Sequence, residues 1–414
     1  MSRSDAPTAA AGAPPADQAD RRARTAALAC MVGLAVVLGV GRFAFTPLLP
    51  LMLADGSIGL KAGGWLASAN YAGYFVGAVS CAALRVAPAR MVRFGLMATV
   101  LLTAAMGVGH LLPVWLGVRF VAGVVSAWTF VFVSQWGLRR LAELHAPEWS
   151  GVIYAGPGVG IVVTGLIGSA LAGRHAAAGW LGFAALSAVL SVVIWRTFAT
   201  APAQAGAPGG GAPHAAAATA AAPADTRRHR ADAAWLVVLY GMPGFGYIVT
   251  ATFLPVIARA ALPAGSPWPD LFWPMFGAAL IVGAITAARL PGHWDNRLLL
   301  AAGCATQALG IAAGIVWPNA AGFSVGSALL GLPFTAITLF AMREARRLHG
   351  ERAAGLMGYA TASYGVGQIL GPLVAAPLAA RFGSFSPALW GAAAVLLLGA
   401  AGFAAAAARG RPQP

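Results

Sequence analysis

Two arginines, Arg42 and Arg119, stand inside runs of sequence that are otherwise almost free of charge. A charged side chain at the centre of a bilayer costs on the order of 2.5 to 3.5 kcal/mol on insertion scales, so an intramembrane arginine implies a task. All twelve acidic residues fall in tails, loops or the ends of apolar runs, and none is placed to neutralise Arg42. An unpaired buried guanidinium is relieved by a bound anion, which it grips through parallel charge-assisted hydrogen bonds. The expected chemistry is therefore recognition of an organic anion such as a carboxylate, with Arg42 as the electrostatic contact. The competing reading is structural: Arg42 caps carbonyls freed by Pro47 and Pro50. Arg119 enters its own run by five residues and could bring its guanidinium to the surface, so substrate contact and a surface role both stand open.

Helical spacing supplies further polar candidates. Arg42 and Thr46 share a face, as do Asn70 and Tyr74. In the second half, Tyr240, Tyr247 and Thr250 on one run, with Tyr359, Tyr364 and Gln368 on another, are placed to face them. Tyrosine offers a broad apolar face with one hydrogen-bonding tip, which suits a substrate of mixed polarity. The alternative for each is an interhelical hydrogen bond or a place in an interfacial aromatic belt.

Other chemistries lack their residues. No His/Asp/Glu grouping forms an acid-base pair or metal cluster, so no catalytic residue, metal or cofactor is expected and the chain is not read as an enzyme. Cys30, Cys81 and Cys304 lie in apolar runs without a pairing or ligand spacing. The glycine-rich stretches sit within apolar runs and no Gly-Lys-Ser/Thr follows them, which argues against ATP-driven work. Although the net charge is +15, the basic residues fall in short clusters between apolar runs, not on a stripe suited to nucleic acid.

The elements that must position these residues are long apolar helices. Of 414 residues 59% are hydrophobic and 9% charged, too little polarity to cover a water-soluble core. A bilayer core about 30 Å thick needs roughly 20 apolar residues in a helix. Twelve runs qualify: Thr25 to Leu53, Gly64 to Leu84, Met91 to Leu112, Val114 to Leu138, Gly151 to Ala172, Ala176 to Trp195, Ala233 to Ala258, Leu271 to Ala288, Leu298 to Trp317, Ala320 to Met342, Ala353 to Leu378 and Pro387 to Ala408. With the N-terminus inside, 21 basic residues fall on inner segments against four on outer ones, the asymmetry expected of short cytoplasmic loops. Arg42 then lies roughly 16 Å below the outer end of its helix, at about 1.5 Å per residue.

The chain divides into a disordered cytoplasmic tail (1–24), a six-helix bundle (25–197), a cytoplasmic Ala/Pro/Gly linker (198–231), a second six-helix bundle (232–408) and a short cytoplasmic tail (409–414). The bundles repeat. At an offset of 205, Gly39-Val40-Gly41-Arg42 meets Gly244-Phe245-Gly246-Tyr247 and Leu49-Pro50 meets Leu254-Pro255; at 207, Gly158-Val159-Gly160 meets Gly365-Val366-Gly367. Parallel halves with a site between them near the midplane are the architecture of major facilitator transporters.

The stretches Gly39 to Pro50 and Leu239 to Ala258 resemble the YbfB/YjiJ-type branch of the major facilitator superfamily (MFS). That resemblance implies an all-α membrane protein of twelve helices, in two bundles with pseudo-two-fold symmetry. Arg119-Phe-Val-Ala-Gly123 resembles the superfamily's membrane arginine motif. Gly156-Pro157-Gly158-Val159-Gly160 resembles part of its antiporter motif, with Val152 where a further glycine is expected. The inner-loop signature is reduced to Asp295-Asn296-Arg297 in the second half, its first-half counterpart, Leu84 to Arg90, having no acid. Gly77, Gly123, Gly156, Pro157, Asp295 and Arg297 are thus the expected gating and hinge positions.

The function expected is a secondary transporter moving a small organic solute, an organic anion by the Arg42 argument, through alternating access. The alternative is efflux of drugs or hydrophobic compounds, with a polytopic membrane enzyme or a non-transporting sensor as rivals from other classes. All seven histidines lie at run ends or in loops, leaving uniport, anion exchange and proton co-transport on the substrate's own carboxylate all open. A single lysine against 26 arginines points to a GC-rich bacterial genome and hence to the inner membrane. A monomer without nucleic-acid partners is the expectation.

Overall fold

The computed structural model describes residues 16–199, 223–350 and 353–409, and every regular element among them is helical. The first span, α1, has three pieces: α-helical Ala16–Leu34, π-helical Ala35–Phe43 and α-helical Phe45–Ala54. There follow α2 (Leu60–Ser80), α3 (Pro88–Val108), α4 (Leu112–Glu143), α5 (Ser150–Ala170) and α6 (Ala176–Trp195). The second half contains α7 (Pro223–Ala261), α8 (Trp268–Arg289), α9 (Asn296–Val316), α10 (Ala320–Gly331 and Phe334–His349, broken at Leu332-Pro333), α11 (Ala354–Phe382) and α12 (Ser386–Arg409). Eleven of the twelve are long and apolar enough to cross a membrane. The exception is α2, whose Lys61, Ser68, Asn70, Tyr71 and Tyr74 dilute its apolar run.

Helix ends depart from the sequence reading by up to several residues, and two departures enter the segments read as tail and linker. The first helix begins at Ala16, inside the 1–24 tail, and α7 begins at Pro223, inside the 198–231 linker. Alanine and arginine are strong helix formers, and a charged helix can run past the apolar stretch that a hydropathy criterion detects. The rest of both segments lies outside the described residues.

Each half packs in the same way. Within the first, α2 lies on α4, α3 on α6 and α1 on α5; within the second, α8 lies on α10, α9 on α12 and α7 on α11. The halves meet along two seams, α2 with α11 and α5 with α8, with α1 touching α7 between them. Call the end carrying the start of α1 the near end, and the opposite one the far end.

Both seams are tight toward the far end and part toward the near end. On α2, a Cβ at Gly64 would lie 2.8 Å from the Ala376 methyl and 2.9 Å from the Pro372 carbonyl oxygen. One turn on, the Ser68 hydroxyl donates to the Ile369 carbonyl at 2.8 Å. The same stripe of α2 continues through Phe75, which touches Gly365, to an exposed Val79, while Thr361 and Gly358 continue the α11 stripe into the open. On the other seam Gly165 meets Pro274 and Gly158 meets Gly277, after which Gly151 and Ile285 are exposed. Glycine is required where these backbones touch, because any Cβ would overlap the facing helix. The halves form a V that opens at the near end.

Candidate functional site

The site begins with the irregular middle of α1. Its wider π-turn, Ala35–Phe43, contains Gly39 and Gly41, and Gly39 lies against Gly160 of α5 with no room for a side chain on either. Pro47 has no N–H to offer the carbonyl one turn before it, so the return to α-pitch at Ala44 is weakly bonded. Into this stretch reaches Arg119 from α4, donating from Nη1 to the Gly41 carbonyl at 3.3 Å and from Nη2 to the Arg42 carbonyl at 3.2 Å. Its guanidinium lies 4.9 Å from the Phe45 ring centroid and the residue is 2% exposed. The sequence reading placed Arg119 at the surface or on substrate; the structure commits it to the backbone of α1. Among the described residues it is Arg119, and not Arg42, whose side chain bonds to carbonyls of α1.

Arg42, thus braced, points across the middle of the molecule. Its Nη2 donates to Oε1 of Gln368 on α11 at 2.9 Å, a bond between the two halves. Its guanidinium carbon lies 4.1 Å from the Tyr74 ring centroid, 5.1 Å from that of Tyr71 and 5.4 Å from that of Phe43, within cation–π range. The residue is 5% exposed and its Nε has no partner. Among the described residues no carboxylate lies within 4.0 Å of it. Rings and an amide disperse this charge without cancelling it.

Gln368 carries the arrangement further, its amide donating to the Tyr247 hydroxyl. Tyr247 stacks on Tyr364, with centroids 5.9 Å apart, and Tyr364 on Tyr240 at 4.9 Å. Phe334, at the break in α10, sits edge-on to Tyr247 at 4.9 Å and to Phe43 at 6.5 Å. Toward the far end three hydrogen bonds close the halves over Arg42. Thr46 donates to the Ala251 carbonyl at 3.0 Å, Tyr71 pairs with Thr252 at 3.0 Å, and Ser68 meets Ile369 as described above.

Not every expected residue reaches this place. Thr250 turns into the second half, lining a void of about 20 Å³ with Leu254, Phe323 and Leu389, and its hydroxyl has no partner. It is Ala251 and Thr252 that face the first half. Tyr359 is 70% exposed on a stripe of α11 shared with Val366, Leu370 and Val374, away from Arg42. Periodicity gives the residues that share a face but not the neighbour that the face meets. Asn70 donates to the Arg119 carbonyl at 3.0 Å, tying α2 to α4. Tyr71, Thr252 and Phe334 were missed in the sequence; Tyr71 stands three residues before Tyr74, a spacing that could have drawn it in.

The expected gating positions hold helices together within each half. Gly77 packs against Val124, Gly123 against Asn70 and Gly156 against Met31, with backbone on backbone, and Pro157 is buried one residue before the α5 seam contact. Asp295 caps the start of α9 by accepting from the Arg297 N–H at 2.9 Å. Arg297 donates to the Ala406 carbonyl of α12 at 2.8 Å and lies 3.6 Å from Glu344 of α10. Glu344 takes two hydrogen bonds from Arg347, at 2.8 and 2.7 Å, and is 1% exposed. The sequence reading set Glu344 at a helix end; its carboxylate is instead the buried centre of a near-end cluster joining α9, α10 and α12.

Among the described residues no group of histidine, cysteine or acidic side chains is arranged to hold a metal ion. Comparison with solved structures finds likeness to the crystal structure of a point mutant of the nucleoside transporter NupG, with a TM-score of 0.70 at 13% identity over 92% of this chain and 99% of that one. At that identity the likeness is one of fold. A search of curated proteins finds no match. The family model described as "Uncharacterised MFS-type transporter YbfB" matches residues 34–403, which take in both seams, Arg42 and the ring of tyrosines. The chain belongs to this YbfB-type family of major facilitator transporters, a multi-pass membrane protein and not an enzyme.

Proposed function

We propose that this transporter moves a small organic anion across the bacterial inner membrane by alternating access, with Arg42 as the anchor for the anionic group. The observation that carries this reading is the uncompensated guanidinium of Arg42, held between the halves by aromatic rings and by a single hydrogen bond, from Nη2 to Gln368. A carboxylate entering from the splayed end would pair with the guanidinium and complete the charge. The excess of arginine in near-end segments supports a cytoplasmic near end, on which reading the V faces inward. On this reading both termini are cytoplasmic, the carrier works as a monomer, and each half moves as a body about the glycine contacts of the seams.

With no acid beside Arg42, the reading favours anion exchange, or entry of the proton on the substrate itself. A nucleoside, the cargo named for NupG, is an uncharged alternative that would leave the arginine's charge uncancelled. The test is uptake into proteoliposomes of labelled organic anions and of nucleosides. Arg42→Gln is expected to lower anion transport by at least about tenfold, the kinetic worth of roughly 1.4 kcal/mol, in a protein that still folds. Undiminished anion transport by that variant, or uptake of nucleosides alone, overturns the reading.

A further inference from the structure

We infer that the Arg42 site takes aromatic monocarboxylates: acids with one negative charge and a ring. The inference rests on the organic-anion reading and narrows it to a class. The charge count comes first. Arg119, the other arginine at this depth, spends both Nη groups on the carbonyls of Gly41 and Arg42 and is stacked against Phe45; its Nε also lacks a partner, but it is enclosed within the first half at 2% exposure, so one cation is left for a ligand between the halves. A dianion would bring a second charge into an apolar setting with nothing to meet it.

The shape of the remaining surface comes second. Around the Arg42–Gln368–Tyr247 axis stand three half-buried rings, one from each of three helices: Tyr74 of α2, Phe334 of α10 and Tyr364 of α11. The residues behind them, Tyr240 and Tyr247, are fully buried and bonded to Thr338 and Gln368. A ligand whose carboxylate sits on Arg42 therefore places its body against aromatic edges and faces. Flat rings gain from offset or edge-on contacts that a saturated body of equal size cannot make.

The experiment is calorimetric titration of the purified full-length protein with four probes of similar size at pH 7: phenylacetate, cyclohexylacetate, phenylacetamide and homophthalate. Phenylacetate is expected to bind at least about tenfold more tightly than the other three. Tyr364→Leu is expected to erase the preference over cyclohexylacetate, and Phe334→Leu provides the same test should the first variant fold poorly. Equal affinity for phenylacetate and cyclohexylacetate overturns the aromatic class and leaves the anion reading standing. Equal affinity for phenylacetamide overturns the anion reading as well. Tight binding of homophthalate overturns the single-charge argument, and binding of none of the four by folded protein overturns the inference.

Discussion

Buried arginines serve different ends in two regions of this chain. At the near end of the second half, buried Arg297 and half-exposed Arg347 converge on Glu344, with Asp295 beside them, so that charge is cancelled among α9, α10 and α12. At mid-depth between the halves, Arg42 meets an amide oxygen and aromatic rings, with no acid. A compensated cluster fastens its own bundle and asks for nothing more. On the organic-anion reading proposed above, an uncompensated charge between two bodies is instead left for an outside molecule to meet. Arg119 lies between these cases, its charge spread over two backbone carbonyls that hold α1 in its irregular course.

That contrast gives a graded series of stabilities, each measurable by denaturation of the detergent-solubilised protein. Glu344→Gln should cost the most, about 3 kcal/mol, because it takes the buried carboxylate away from buried Arg297 and leaves that cation only Asp295, while the half-exposed Arg347 can turn to water. A loss below about 1 kcal/mol would mean that water already screens the cluster and would dissolve the contrast. Arg119→Met should cost about 2 kcal/mol through the lost hydrogen bonds to α1, and should also weaken any binding that depends on the placement of Arg42. Arg42→Gln should change stability by less than about 1 kcal/mol in either direction, since an uncancelled buried charge returns little to the fold. Were it to destabilise as much as Glu344→Gln, Arg42 would have to be read as structural. Smallest of all, Thr250→Val should be neutral or stabilising by up to about 1 kcal/mol, because its buried hydroxyl is already unpartnered. A fall in transport by that variant would place Thr250 at the site after all.

Much of the architecture is legible in the sequence because run length and arginine placement reflect the two demands of a bilayer, backbone satisfaction and charge asymmetry. The twelve runs and the two-half repeat correspond to helices found in the structure, although the break between the third and fourth lies at Gly109 to Leu111 and Pro113 falls within the first turn of the fourth. The starts of α1 and α7 were hidden because a charged helical extension leaves no trace in hydropathy. Arg42, Gln368, Tyr247 and Tyr364 could be assembled from helical spacing and the repeat, whereas Thr250 and Tyr359 share those helices and face elsewhere. What separates them is the rotation of each helix about its axis, fixed by backbone contacts such as Gly367 on Gly241. No single helix contains that information. The carbonyl-binding work of Arg119 was hidden for a related reason: it answers a nine-residue π-turn that no residue pattern announces.

The far-end closure is made of neutral partners apart from Arg42 itself: Thr46 on Ala251, Ser68 on Ile369, Tyr71 on Thr252 and the guanidinium on Gln368. Among the described residues no ion pair crosses from one half to the other. Parting the halves there strands no oppositely charged couple, and each freed hydroxyl or carbonyl can be rewetted at once. A latch of this kind ignores ionic strength, which acts on separated charges and scarcely on amides and alcohols. The far-end closure can thus part as readily in saline as in dilute surroundings, indifferent to the medium it opens onto.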